Sequence, residues 1–298
     1  MKDVINHDTP EPICDPSVYQ LTPMKTYLAS VIALVVASTS FGQAHQLEKK
    51  WESAATLKVP ESVLFDGARS VLYVTNIDGE PWGKDGKGSV GKVGLDGKVI
   101  AVDWVSGLEA PKGMALQGNL LYVADLEQVV VIDVEKGEVA SRIAVPGAKG
   151  LNDVTIDPKG VLYVSDSQDK KLYRIENKHA TVLIEKLKGP NGVLFHDGAL
   201  YLADGGGLYR VGKDNGLTLI NDGMTGGIDG VEHVAGGDFI VSCWSGVIHY
   251  VKADGTRETL LDTRGDKINS ADIGYDAKTR TLYVPTFFKN SIVAYEVK

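Results

Sequence analysis

The stretch Pro190-Asn191-Gly192-Val193-Leu194-Phe195, followed after a His-Asp-Gly turn by Leu200-Tyr201-Leu202, decides the fold. Short apolar runs rich in Val, Leu and aromatics, parted by Asp and Gly, read as a β-strand, a tight turn and a second β-strand. The same phrase recurs five times: from Pro60-Glu61-Ser62, Pro111-Lys112-Gly113, Leu151-Asn152-Asp153, Ile228-Asp229-Gly230 and Ile268-Asn269-Ser270. Each copy leads to its own second strand, among them Leu72-Tyr73-Val74, Leu121-Tyr122-Val123, Leu162-Tyr163-Val164 and Leu282-Tyr283-Val284.

Counted at the second residue of each copy, the spacings are 51, 40, 39, 38 and 40. A period of roughly 40 residues with four short strands per unit is that of propeller blades. The long first spacing has a local cause, the Gly- and Lys-rich loop 78–89. The expected architecture is all-β: a six-bladed β-propeller of four-stranded blades. The sixth repeat runs out after its third strand, 291–297. An N-terminal strand, placed at 54–59, is expected to complete it and remove an open sheet edge.

Outward from the repeats, the first 44 residues read differently. Met24-Lys25 opens a basic, then apolar, then small-residue pattern that ends at Ala44, the form of a secretory signal. The apolar run is short for a bilayer span. The preceding 1–23 are polar and carry four prolines. The expected organisation is a misassigned or disordered extension over 1–23, a signal peptide over 24–44, and the propeller over 45–298. Translation would start at Met24 and the product would be periplasmic or secreted, with no stable membrane insertion after cleavage.

The formal charge of −8 gives no basic footprint for phosphates, so nucleic acid is not an expected partner. Two cysteines, Cys14 and Cys243, make neither a disulfide framework nor a zinc motif. Gly86 to Gly91 matches a dinucleotide fingerprint only formally, because it precedes a strand rather than a helix. Asp125, Asp166 and Asp204 each end a second strand, a place where aspartate caps turns.

The second residues of the six copies are Glu61, Lys112, Asn152, Asn191, Asp229 and Asn269. In a propeller the first strand of each blade lines the channel, so these six are expected to ring one mouth. Two carboxylates and three amide carbonyls form an all-oxygen donor set suited to a hard cation, calcium first and magnesium or manganese next. Carboxylates ~6 Å apart repel by about 3 kcal/mol at an effective dielectric of 20, and a divalent ion between them reverses that cost. The alternative is that Asn and Asp only cap the turns into the first strand. Lys112 is ambiguous: it either pairs with Glu61 or Asp229 and weakens cation binding, points to solvent, or holds an anionic substrate.

With these motifs in register, 46–298 resembles the senescence-marker-protein/gluconolactonase/luciferin-regenerating-enzyme-like (regucalcin-like) family. The resemblance implies a divalent metal held by Glu61 of Pro-Glu-Ser, Asn191 of Pro-Asn-Gly and Asp229 of Ile-Asp-Gly. Asn152 of Asn-Asp would contact substrate or metal, and Asn269 suits the related pattern of paraoxonase-like lactonases. Two departures stand out. Ser62 follows Glu61 where the family often has Gly-Pro, and Gly150 stands where sugar-lactone members carry an arginine. The implied activity is metal-dependent hydrolysis of a small lactone or ester, with Asp229 as metal ligand and general base and Lys112 and Asn152 toward substrate. The competing reading is a non-catalytic secreted propeller that binds a ligand or a protein on its loop face.

Overall fold

A computed structural model of the chain describes residues 44–298. The polar extension, Cys14 and all but the last residue of the expected signal segment lie outside the described residues. Six four-stranded antiparallel sheets follow one another along the chain and make the six blades of a β-propeller. Their first, innermost strands are Pro60–Asp66, Pro111–Gln117, Leu151–Ile156, Pro190–His196, Ile228–His233 and Gly274–Asp276. Among the described residues no helix is long and apolar enough to cross a membrane.

The core is radial. Six apolar clusters each lie between neighbouring blades, as where Tyr73 and Val90 of blade one meet Leu121 and Val123 of blade two. Second strands are covered on both faces, so Val71–Asn76 is buried along its whole length. Outermost strands have one face in water and alternate instead, as Glu138–Ala144 does. That contrast explains why the second strands are the plainest signal in the sequence.

The ring is closed by an N-terminal strand, but not the expected one. Leu47–Glu52 pairs antiparallel with Ile292–Val297 as the outer strand of blade six. The 54–59 segment crosses from that strand to blade one as a turn, tied by Leu57 N–H to Asn290 O and Val59 N–H to Asn290 Oδ1. Its one large apolar side chain, Leu57, is buried between blades six and one. The apolar content that suggests a strand there therefore serves the core from a connection.

Candidate functional site

Each of the first five inner strands has a register shift at its start. Pairing with the second strand skips Glu61-Ser62, Lys112-Gly113, Asn152-Asp153, Asn191-Gly192 and Asp229-Gly230. A β-bulge frees two residues from the ladder and re-aims their side chains. The first skipped residue of each pair lines a cavity of about 350 Å³ at the channel mouth. The second faces the next blade, where space is short. A Cβ on Gly192 would lie 2.2 Å from Asp229 O, and one on Gly113 2.0 Å from Asp153 Oδ1. Where that residue is not glycine it stitches blades together: Ser62 Oγ donates to Asp272 Oδ2 at 2.6 Å, and Asp153 Oδ2 accepts Val193 N–H at 2.7 Å.

The structure thus gathers Glu61, Lys112, Asn152, Asn191 and Asp229 at one mouth. Asn269 is not among them. In blade six Gly274 pairs with Tyr283 as Leu64 pairs with Tyr73, which puts Ala271 in the position of Glu61. Asn269 sits two residues upstream and donates its amide to Trp244 O at 2.8 Å. The ring therefore has five polar members and a buried alanine.

Four of the five polar members are buried, and Asn191 is half-buried. Glu61 is 4% exposed and Lys112 2%. Lys112 Nζ lies 3.7 Å from Glu61 Oε1 and 4.5 Å from the centre of the Trp82 ring. Asn152 donates its amide to Ser167 Oγ at 2.9 Å, which leaves its carbonyl oxygen toward the cavity. Glu61 Oε2 and Asp229 Oδ1 are buried with no hydrogen-bond partner in the protein. Burial pushes the Glu61 carboxyl up to about 8 against the pull of the Lys112 ammonium. Burial, then the nearby Glu61 and Asp272 charges, push Asp229 well above the usual carboxylate range. Among the described residues no three His, Cys, Asp or Glu groups converge on one metal position. Two carboxylates here reach a cation's donor count only with the asparagines.

Deeper in the channel a second cavity of about 230 Å³ holds Asp153, Asp272 and Glu232 among aliphatic side chains. Burial raises all three carboxyls, Asp272 to about 6. The ring alignment does not mark them. One signal was present: Glu232 occupies a column that is otherwise Leu64, Ala115, Thr155, Leu194 and Gly274, a charge among apolar or small residues.

The remaining motifs resolve into structure. Asp125, Asp166 and Asp204 accept backbone N–H groups from the loops that enter the first strands. The Gly86–Gly91 stretch runs into strand Gly88–Gly94. Cys243 is buried and free, and burial pushes its thiol up to about 12, so it acts as a small apolar side chain. His196 and His233 end inner strands at the opposite mouth with rings stacked 3.7 Å apart.

No family model and no curated protein matches the chain. Solved structures do. One, with a provisional gluconolactonase assignment, shares 18% identity at a TM-score of 0.66, over 87% of this chain and 94% of that one. A chain of a nidogen/laminin complex shares 19% at 0.61, over 73% and 84%. Virginiamycin B lyase from Staphylococcus aureus, solved with quinupristin, shares 14% at 0.60, over 85% and 99%. At such identities the likeness is one of fold: this chain is built on the same propeller scaffold as these proteins.

Proposed function

We propose that the chain is a hydrolase of a small lactone or ester acting at the five-residue mouth, with a divalent cation as cofactor. The carrying observation is the pair of buried, partnerless oxygens, Glu61 Oε2 and Asp229 Oδ1, facing one cavity with two asparagines. A buried carboxylate oxygen without a partner is costly unless something binds it. An all-oxygen set fits a hard cation, calcium before magnesium or manganese. Glu61, Asn191 and Asp229 would hold it, with Asn152 beside them. When bound, such an ion polarises an ester carbonyl. The motif resemblance and the neighbour with a gluconolactonase assignment support the lactone class.

The chain's own groups supply the rest. Asp229, its proton affinity raised by burial above that of an ordinary carboxylate, takes a proton from water at a carboxylate oxygen. Lys112 Nζ brings N–H donors into the same cavity to hold a developing anionic oxygen. Asn152, oriented by Ser167, positions substrate.

One observation favours a second reading. Lys112 Nζ already sits beside Glu61, so an ammonium can stand in for the ion. The protein would then be a propeller that binds a ligand without metal. Elemental analysis and calorimetric titration of the purified protein separate the two. One equivalent of calcium, magnesium or manganese, bound by the native chain and lost in Asp229→Ala, is expected, together with lactone hydrolysis that a chelator abolishes. Binding of none of the three ions would remove the hydrolase reading and leave the second.

A further inference from the structure

The mouth has a polar floor and apolar walls. Its polar side chains are the five bulge residues, all at the base where the inner strands start. The walls are Pro81, Trp82, Ile228, Trp244 and Phe287. Both tryptophans are 40% exposed, though each is fixed in place. Trp244 meets the edge of Phe287 at 5.6 Å, and its carbonyl is held by Asn269. Trp82 carries the Lys112 ammonium on one side and closes over Gly150.

Gly150 is the sharpest constraint. It lies two residues before Asn152 and packs against Trp82, which lines the cavity. A Cβ there would meet Trp82 Cζ3 at 2.9 Å and Gln168 Cγ at 2.3 Å. Gln168 and the Trp82 indole together leave no room for a side chain on that backbone. The walls offer a ligand broad hydrocarbon faces and no side-chain hydrogen-bond acceptor.

From this division we infer that the ligand is amphiphilic in one direction: a carbonyl compound with a compact polar head and a hydrocarbon ring or short chain, not a polyhydroxylated sugar. The carbonyl head rests on the hydrolase reading; the apolar body rests on the walls alone. A sugar needs acceptors around its whole rim, and five of the lining side chains supply none. A hydrocarbon body instead buries the exposed faces of Trp82 and Trp244, which is favourable in proportion to the area removed from water. A volume of about 350 Å³ suits a small ligand of this kind.

Binding can be tested apart from turnover with 2-alkylcyclopentanones, which keep a carbonyl but have no ester bond to break. Tryptophan fluorescence titration should show Kd falling about fourfold per added methylene over the first few members, the factor for burying one CH₂. D-Glucono-δ-lactone should bind more weakly than any alkylated member. Trp82→Ala, checked for fold by circular dichroism, should flatten the chain-length dependence, and Trp82→Phe should restore most of it. Gluconolactone binding as tightly as the longest ketone overturns the inference, as does a slope unchanged in Trp82→Ala or no ketone binding at all. If the ketones bind with the expected slope while no lactone is hydrolysed, the hydrolase reading fails and the apolar-ligand inference stands.

Discussion

Two sets of buried carboxylates share one face of this propeller, and they differ in what their oxygens touch. Asp166 is fully buried and accepts N–H groups from Lys149, Gly150, Gln168 and Asp169. Asp125 does the same for Glu109 and Ala110, with Gln128 on its second oxygen. Glu61 and Asp229 are as deeply buried, yet each keeps one oxygen with no partner. Both sets repeat from blade to blade. Repetition alone therefore does not separate scaffold from site; satisfaction does. An oxygen that closes a turn has its binding capacity used up within the fold. An orphaned one holds capacity in reserve at the expense of stability.

The contrast can be broken most sharply at Asp229. Asp229→Ala should lower lactone hydrolysis about a thousandfold, the order expected when a general base is lost. With a chelator present the thermal midpoint should hold steady or rise, because a buried oxygen without a partner has gone. A large drop in stability would place Asp229 with the scaffold set. Asp166→Ala is the mirror experiment. It should destabilise the chain by about 3 kcal/mol in urea melts, since buried N–H groups lose their acceptor. Near-native stability in that variant would dissolve the distinction.

A finer test uses pH with a chelator present. Glu61 has its carboxyl raised from an ordinary 4.5 to about 8, so folding favours the protonated form. That contribution is complete below about 4.5 and is lost as pH climbs toward 8. Asp272, raised to about 6, and the raised Asp153, Asp229 and Glu232 have the same sign, so the Glu61 part is read as the difference between the native chain and Glu61→Gln. Urea midpoints should fall as pH rises toward 8, and the fall should be shallower in Glu61→Gln. An equal slope in the variant would argue that Glu61 does not titrate there. The smallest effect is expected at Asn269. Its amide ties Trp244 rather than facing the floor, so Asn269→Ala should change cation affinity less than twofold while Asn191→Ala weakens it clearly.

Much of the fold was legible because a strand covered on both faces must be apolar throughout. Leu72-Tyr73-Val74 and its counterparts state this directly, and their spacing gives the blade count. Where the covering is one-sided, the signal fades. The closing strand, Leu47-Glu48-Lys49-Lys50-Trp51-Glu52, buries only parts of Leu47 and Trp51 and reads as a charged linker. The ring at the channel mouth was legible because polar residues recur at positions where burial demands a reason. Five of six were found in register. The sixth slipped by two residues because Ile268-Asn269-Ser270 copies the shape of Ile228-Asp229-Gly230, while strand pairing in blade six selects Ala271. Asp153, Asp272 and Glu232 were not singled out, since their company in the channel comes from three different blades. The orphaned oxygens and the indole over Gly150 depend on distances that no alignment of repeats contains.

The closure of blade six has a consequence for how the ring is made. Leu47 pairs with Val297, and Lys298 N–H donates to Gln46 O, so the last sheet joins positions about 250 apart in the chain. Bringing such distant segments together costs about 5 kcal/mol of loop-closure entropy before any contact rewards it. Blades one to five are each contiguous in sequence and can fold without that cost; blade six must wait for both segments. Until then Ile292–Val297 is a bare strand edge, a template for pairing. It accepts whichever Leu47–Glu52 segment arrives first, its own or that of a second molecule. Protein concentration during refolding should therefore set the proportion of closed monomers to strand-exchanged pairs.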